Sequence, residues 1–129
     1  MAVKFQSEEF FKEANEAIAA DQAVQSAAKG KNVAVQIVTT DAPGRGQIKT
    51  FLKIVEGVPE VGLGEVEKPD ATITQNYETA AALDKGELNA QNAFMQGKIK
   101  IKGNLMKMMQ LQGFLQALAP ASAGIDREY

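Results

Sequence analysis

Phe94-Met95-Gln96-Gly97-Lys98-Ile99-Lys100-Ile101-Lys102-Gly103-Asn104 is the stretch whose reading decides the fold. Phe94 and Met95 belong, with Ala93, to a short helical segment that Asn89 caps and Gly97 stops. From Lys98 to Lys102 lysine alternates with isoleucine, the period of a strand with one wet face and one dry face. Gly103 then breaks the strand, and Asn104 supplies the side-chain oxygen that starts another helix. Helices on both sides of a strand with one dry face predict an α+β chain in which helices lie against a sheet.

Reading outward gives the other elements. Ser7 is an N-cap, followed by Glu8 and Glu9 where a helix dipole favours negative charge. Phe10, Phe11, Ala14, Ala17 and Ile18 recur at helical spacing, Asp21 restarts the helix, and Gly30 ends the second segment after Lys29. The period then becomes two. Val33, Val35 and Ile37 lead into the turn Asp41-Ala42-Pro43-Gly44-Arg45-Gly46, and Ile48, Thr50, Leu52 and Ile54 share one face of the next strand. After Gly57-Val58-Pro59 a third strand is predicted over Glu60 to Val66, which completes an antiparallel meander. A fourth strand over Asp70 to Thr74 precedes a helix capped by Asn76 and ended by Gly86. The last helix is predicted to run to about Ala119, where Pro120 should prevent continuation, and the tail 121–129 is expected to be loose. The predicted order is ααββββααβα: a five-stranded sheet, a meander plus two later strands, in one domain over 1–129.

Composition excludes several classes of function. Apolar residues make up 45% of the 129 residues and charged residues 23%, which suits one ordinary globular core. A formal net charge of -2 offers no basic field to nucleic acid. There is no cysteine, hence no disulfide, thiolate nucleophile or zinc thiolate site. There is no histidine, hence no imidazole base or ligand and no Ser-His-Asp triad. An enzyme is not expected, nor is a metal or other cofactor. No apolar run reaches the length of a membrane span, Met1 to Glu9 lacks the apolar stretch of a signal peptide, and Asp126 to Tyr129 is no organelle address. The expected compartment is the cytoplasm.

The last helix carries the strongest functional signal. Leu105, Met106, Met108, Met109, Leu111, Phe114, Leu115 and Leu118 cover most of its circumference at about 100° per residue. A sheet covers one side of such a helix. Its own fold, an apolar ligand, a partner or a second copy must cover the rest. Three methionines fall here, and methionine adapts to variable apolar shapes. On the helical wheel Leu105, Met108 and Leu115 sit mid-arc and are expected to face the sheet, whereas Met106 and Met109 lie on a flank and are expected to face a cavity. Gly62 and Gly64 fall on one strand face, where they either open room for a ligand or mark a bulge or close packing. Lys98, Lys100 and Lys102 read as a solvated face at a sheet edge, with transient docking on an anionic membrane as the functional alternative.

The opening stretch resembles the signature of the sterol carrier protein 2 family: an aromatic, Gln-Gly-Lys, an alternating strand, then Gly and an Asn cap. Pro69-Asp70-Ala71-Thr72-Ile73-Thr74, Lys85-Gly86-Glu87-Leu88-Asn89 and Met109-Gln110-Leu111-Gln112 are similar to other family segments and come in the family's order. The resemblance implies an apolar cavity between sheet and helices, and a non-enzymatic protein that binds or transfers a fatty acid, fatty acyl-CoA or sterol-like ligand. The cavity is assigned Ile99 and Ile101 from the strand and Leu83, Phe94 and Met95 from the preceding helices. Met106, Met109 and Phe114 join from the last helix, with Gly62 and Gly64 opposite. Met106 and Met108 stand where the family often has small residues, so the cavity should be reshaped. An accessory or scaffold protein is the alternative, its apolar groove binding a partner or presenting an apolar substrate to an enzyme. Monomer and dimer both remain open.

Overall fold

The computed structural model describes residues 2–129. Strand β1 (Val3–Lys4) precedes helices α1 (Glu8–Ala20) and α2 (Gln22–Ala28). Strands β2 (Val33–Ala42), β3 (Gly46–Val55), β4 (Val58–Leu63) and β5 (Ala71–Asn76) follow, then helices α3 (Tyr77–Lys85) and α4 (Ala90–Met95). Strand β6 (Ile99–Gly103), helices α5 (Leu105–Gln110) and α6 (Gln112–Ser122) and strand β7 (Arg127–Glu128) complete the chain. Local chemistry sets most boundaries. Ser7, Asp21, Asn76, Asn89 and Asn104 each accept a hydrogen bond from a backbone N–H of the first turn they cap.

The main sheet runs in the order β4-β3-β2-β5-β6. Strands β2, β3 and β4 form the antiparallel meander, with Val35 opposite Leu52 and Leu52 opposite Val61. Strand β5 crosses over to pair in parallel with β2, and β6 returns antiparallel beside β5, so that Ile37, Ile73 and Ile101 stand in one row. The sheet is therefore the expected five-stranded one. Its inner face carries Val35, Ile48, Leu52 and Ile54, which pack with Phe10, Ala14 and Ile18 of α1 and with Leu111 and Phe114 of the last helical segment. The edge strand β4 is tied to α1 by Asn15, whose side chain donates to Val61 O at 2.8 Å and accepts from Val61 N at 3.0 Å. Those bonds occupy backbone groups that an open sheet edge would leave bare.

The outer face is polar. Gln36 lies there, buried beneath the loop after β4. Its amide donates to Thr50 O and Gly64 O and accepts from Val66 N, at 2.7, 3.0 and 2.7 Å. At Gly103, φ is +115° and a Cβ would stand 2.8 Å from Ala71 Cα. Glycine is required there for the turn out of β6 against the neighbouring strand.

The C-terminal expectations are corrected. Pro120 does not stop the last helix, which continues to Ser122. Pro120 and Gln116 both lie on the exposed side, where the carbonyl that loses its helical partner is open to water. The helix breaks earlier, at Leu111, which divides α5 from α6. The tail is not loose either. Strand β7 pairs in parallel with β1, Val3 N donating to Asp126 O and Phe5 N to Glu128 O, each at 2.9 Å. Ile125 is buried in the core. Arg127 holds both oxygens of Asp84 at 2.8 and 2.9 Å, its guanidinium lies 4.9 Å from the Phe10 ring centre, and the Tyr129 hydroxyl donates to Asp84. These partners are distant in sequence, so no local pattern announces them.

The clasp carries a pH signature. Burial pushes the Tyr129 phenol up to about 12, helped by its hydrogen bond to Asp84 and that carboxylate's charge and opposed by Arg127. Tyr77, whose hydroxyl donates to Tyr129 O at 3.2 Å, is also raised, by burial first, with Arg45 opposing and Asp84 reinforcing. Both phenols hold their proton more tightly in the folded chain. Their contribution is thus intact below about pH 10, the unfolded phenol value, and is lost as pH rises toward the folded value. The thermal midpoint of the wild-type protein should fall between pH 10 and 12. The Tyr129→Phe variant should start lower at pH 8 and fall less steeply, and equal slopes in a melting series would contradict the assignment.

Candidate functional site

Between the inner face of the sheet and the last helical segment lies a pocket of about 230 Å³. Val35, Ile37 and Leu52 form its floor with Ile73, and Phe10, Phe11 and Ala14 of α1 close one side. Its roof is the stripe Met108, Leu111, Leu115 and Leu118. These fall at i, i+3, i+7 and i+10, one face of a helix, and they keep that face through the break at Leu111. Leu111 is buried, and Leu115 is partly exposed at the mouth. Polar residues gather at one end: Gln6, Gln75, Asp84 and Ser122 line the pocket there, with the hydroxyl of Thr39 against the Gln6 amide.

The roof is lightly fastened. No residue of α5 is buried. Beside the partly buried Met108, its ties are polar: Asn104 N donates to Asp70 O at 2.8 Å, and Lys107 Nζ donates to Asn32 O at 3.0 Å and faces Asp70 at 3.3 Å. Exposed ion pairs of this kind contribute little. The pocket is smaller than the roughly 300–1,000 Å³ of typical ligand sites. A long ligand therefore needs more room than the pocket has here.

None of the ten residues assigned to a cavity from sequence lines this pocket. Met106 and Met109 point to solvent, 73% and 67% exposed, and Met108 takes the inner position. Met108 and Leu115 do face the sheet, as the wheel indicates, but Leu105, expected with them, is 52% exposed because it opens α5 beyond the sheet-facing stripe. The pocket lies beneath that face, between helix and sheet, and not on the flank, so the same stripe is both sheet-facing and pocket-lining. Phe114 is fully buried in the core, while Phe94 and Met95 of α4 are exposed. Ile99 is buried and Ile101 half-buried on the inner side of β6, with Ile101 opposite the pocket residue Ile73. Leu83 borders a separate groove against the C-terminal segment. Gly62 lies beneath Phe51 on the outer face, where a Cβ would stand 2.8 Å from the ring, so its bareness accommodates an aromatic side chain. Gly64 has φ +125° and turns the chain out of the sheet toward Gln36. Sequence reasoning missed Phe5, Gln6, Phe10 and Phe11. Their only signal was the helical spacing of Phe10 and Phe11, which reads as plain core.

Among the described residues no three acidic side chains stand close enough to hold a metal ion together, and no helix is long and apolar enough to cross a membrane. The pocket offers apolar surface, amides, hydroxyls and one carboxylate already paired with Arg127. That set can hold an apolar molecule.

The placement of the methionines has a direct test. Met106→Lys and Met109→Lys should each change unfolding free energy by no more than about 0.5 kcal/mol, as exposed substitutions do. Met108→Lys sets an ammonium beneath the roof and should cost about 1–3 kcal/mol. Equal losses at all three positions in chemical denaturation would contradict the placement.

Comparison with known proteins identifies the family and the fold. Residues 11–116 match the model of the SCP-2 sterol transfer family. Sterol carrier protein 2 of Gallus gallus is 38% identical over 72 residues, 56% of this chain and 13% of that protein. The chain thus spans only a small part of the longer sterol carrier relatives. The oleate-induced peroxisomal protein POX18 of Candida maltosa is 28% identical over 117 residues, covering 90% of this chain and 91% of the relative. A crystal structure of sterol carrier protein 2 superimposes with a TM-score of 0.76 at 18% identity, over 95% of this chain and 99% of that one. The sterol carrier protein domain 2 of Helicoverpa armigera superimposes with a TM-score of 0.68 at 27% identity, over 93% and 95%. With the motif from Phe94 to Asn104, the fold and the family match in agreement, the chain belongs to the SCP-2 sterol transfer family.

Proposed function

We propose that this protein is a non-enzymatic lipid carrier that holds the apolar part of a fatty acid, a fatty acyl-CoA or a sterol-like molecule between sheet and roof. The observation that carries the reading is the stripe Met108, Leu111, Leu115 and Leu118 over an apolar floor with space left between them. Sixteen methylenes moved out of water contribute about 13 kcal/mol gross at roughly 0.8 kcal/mol each. Association and chain ordering take back several kcal/mol, and a net of about 8 kcal/mol corresponds to micromolar binding. Such binding needs no strong polar anchor.

Loading proceeds by outward motion of α5, which buries no residue, while α6 stays anchored in the core by Phe114. Ile101, opposite Ile73, extends the apolar floor toward the edge strand once the roof lifts. Ile99 continues that floor beyond Ile101, and Leu83 and Phe114 support floor and roof from behind. Met106 and Met109 on the roof, with Phe94 and Met95 on α4, then form the rim, and Gly62 and Gly64 set the far strand's shape. The exposed Lys98, Lys100 and Lys102 favour brief contact with an anionic membrane during exchange. The absence of cysteine supports a reducing compartment such as the cytoplasm. The Candida maltosa relative is named as peroxisomal, so cell fractionation decides between the two sites for this chain.

The exposed Phe94, Met95, Leu105, Met106 and Met109 favour a second reading, an accessory protein whose apolar surface meets a partner. Native mass spectrometry after mild purification separates the two: co-purified lipid on a monomer supports the carrier, and a lipid-free dimer supports the scaffold. Titration with a fluorescent long-chain fatty acid or acyl-CoA should saturate with a micromolar Kd and should weaken about tenfold or more in Met108→Lys. A titration to high micromolar with folded protein and no saturable signal would contradict the carrier reading.

A further inference from the structure

Helix α5 has one side chain bonded to the rest of the fold. Among the described residues, Lys107 alone of its side chains makes a hydrogen bond or ion pair, with Nζ 3.0 Å from Asn32 O and 3.3 Å from Asp70 Oδ1. Both acceptors belong to the fixed part of the fold. Asp70 is clamped to Ala34 of β2: its Oδ2 accepts from Ala34 N at 2.8 Å, and its own N donates to Ala34 O at 2.7 Å. Asn32 is tied to the turn after β3, its Oδ1 accepting from Glu56 N at 2.8 Å. Only the donor rides on the helix that buries no residue.

Lys107 also precedes the residue that covers the pocket. Met108 lines the pocket and packs against the core. The two side chains hold α5 down by different means, one polar at the rim and one apolar over the pocket. The polar one is breakable, because the Lys107 and Asp70 side chains are 36% and 30% exposed and the pair is screened by water and salt. An apolar chain that needs more room than the pocket offers has to displace Met108. Lys107 moves with its neighbour, and its contacts with the fixed acceptors break.

We propose that Lys107 is a positioning residue, a latch whose contact with Asp70 and Asn32 holds Met108 over the pocket in the empty protein and opposes entry of a long apolar chain. This inference rests on the carrier reading and adds to it a device that keeps the unloaded pocket shut. The contact is made in the empty state and lost before the chain enters. Its removal therefore speeds association and leaves dissociation unchanged. A lysine that only supported the pocket wall would do the reverse on removal, and ligand would leave faster.

The test is stopped-flow fluorescence on the full chain with methyl cis-parinarate, a long-chain probe that carries no charge of its own. At about 50 mM NaCl, Lys107→Gln should associate about threefold faster than wild-type protein, the order of one screened ion pair, with an unchanged dissociation rate. Raising NaCl to about 0.5 M should give wild-type protein most of that gain and Lys107→Gln almost none. Lys107→Arg, which keeps the charge and the donors, should associate near the wild-type rate, as should Lys100→Gln on the exposed face of β6. If Lys107→Gln does not fold, the salt response of wild-type protein decides alone, and no acceleration overturns the inference. Lys107→Gln associating at the wild-type rate, or gaining only in dissociation, overturns the inference and leaves the carrier reading standing. Absence of saturable probe binding by folded wild-type protein overturns the carrier reading and this inference with it.

Discussion

The dry inner face of a five-stranded sheet has to be covered, and the rest of the structure follows from how this is done. Phe10, Ala14 and Ile18 of α1 cover it firmly, with Asn15 bonded into the edge strand. Helix α5 covers it loosely, whereas Leu111 and Phe114 anchor the chain that follows in the core. The contact of α5 with the core runs through Met108, and no residue of it is buried. Close packing is the rule in protein interiors, so space kept between an apolar floor and an apolar roof costs dispersion energy that a ligand can restore. The loosely held roof thus provides both the site and the route to it.

Much of this was legible in the sequence. The five caps and the glycine stops lie within a few residues of the helices they bound, and the change of period from helix to strand at Val33 needs no tertiary information. The parallel insertion of β5 beside β2 is a crossover choice that periodicity does not specify, though the family resemblance implied the five-stranded sheet. The C-terminal clasp was illegible, because Arg127 acts through Asp84 and Phe10, and β7 exists only by pairing with β1. Pro120 misled for a related reason: a helix tolerates proline where the orphaned carbonyl faces water.

The site was less legible than the fold. An over-wide apolar arc identified the right helix but not the right side of it. The wheel separated Met108 from Met106 and Met109, yet it could not tell whether the space lay under the helix or beside it. Gly62 and Gly64 illustrate the same limit. Bare strand positions signal a close approach, and Phe51 makes it at Gly62, whereas Gly64 faces open space and is glycine for its φ of +125°. Gln6 gave no signal at all, since an isolated glutamine before a capping serine reads as surface, and its burial comes from the clasp and Arg45 closing around it.

The account's central claim is that lipid lies between the roof stripe and the sheet. It is tested most directly by labelling the methionine methyl groups and recording their spectra with a bound long-chain lipid. The account expects the Met108 methyl to shift most and to show the strongest proximity contacts to the acyl chain, while those of Met95 and Met106 at the rim shift less and show weaker ones. Contacts to Met95, Met106 and Met109 with Met108 silent would place the lipid on the outside of the roof and contradict the account.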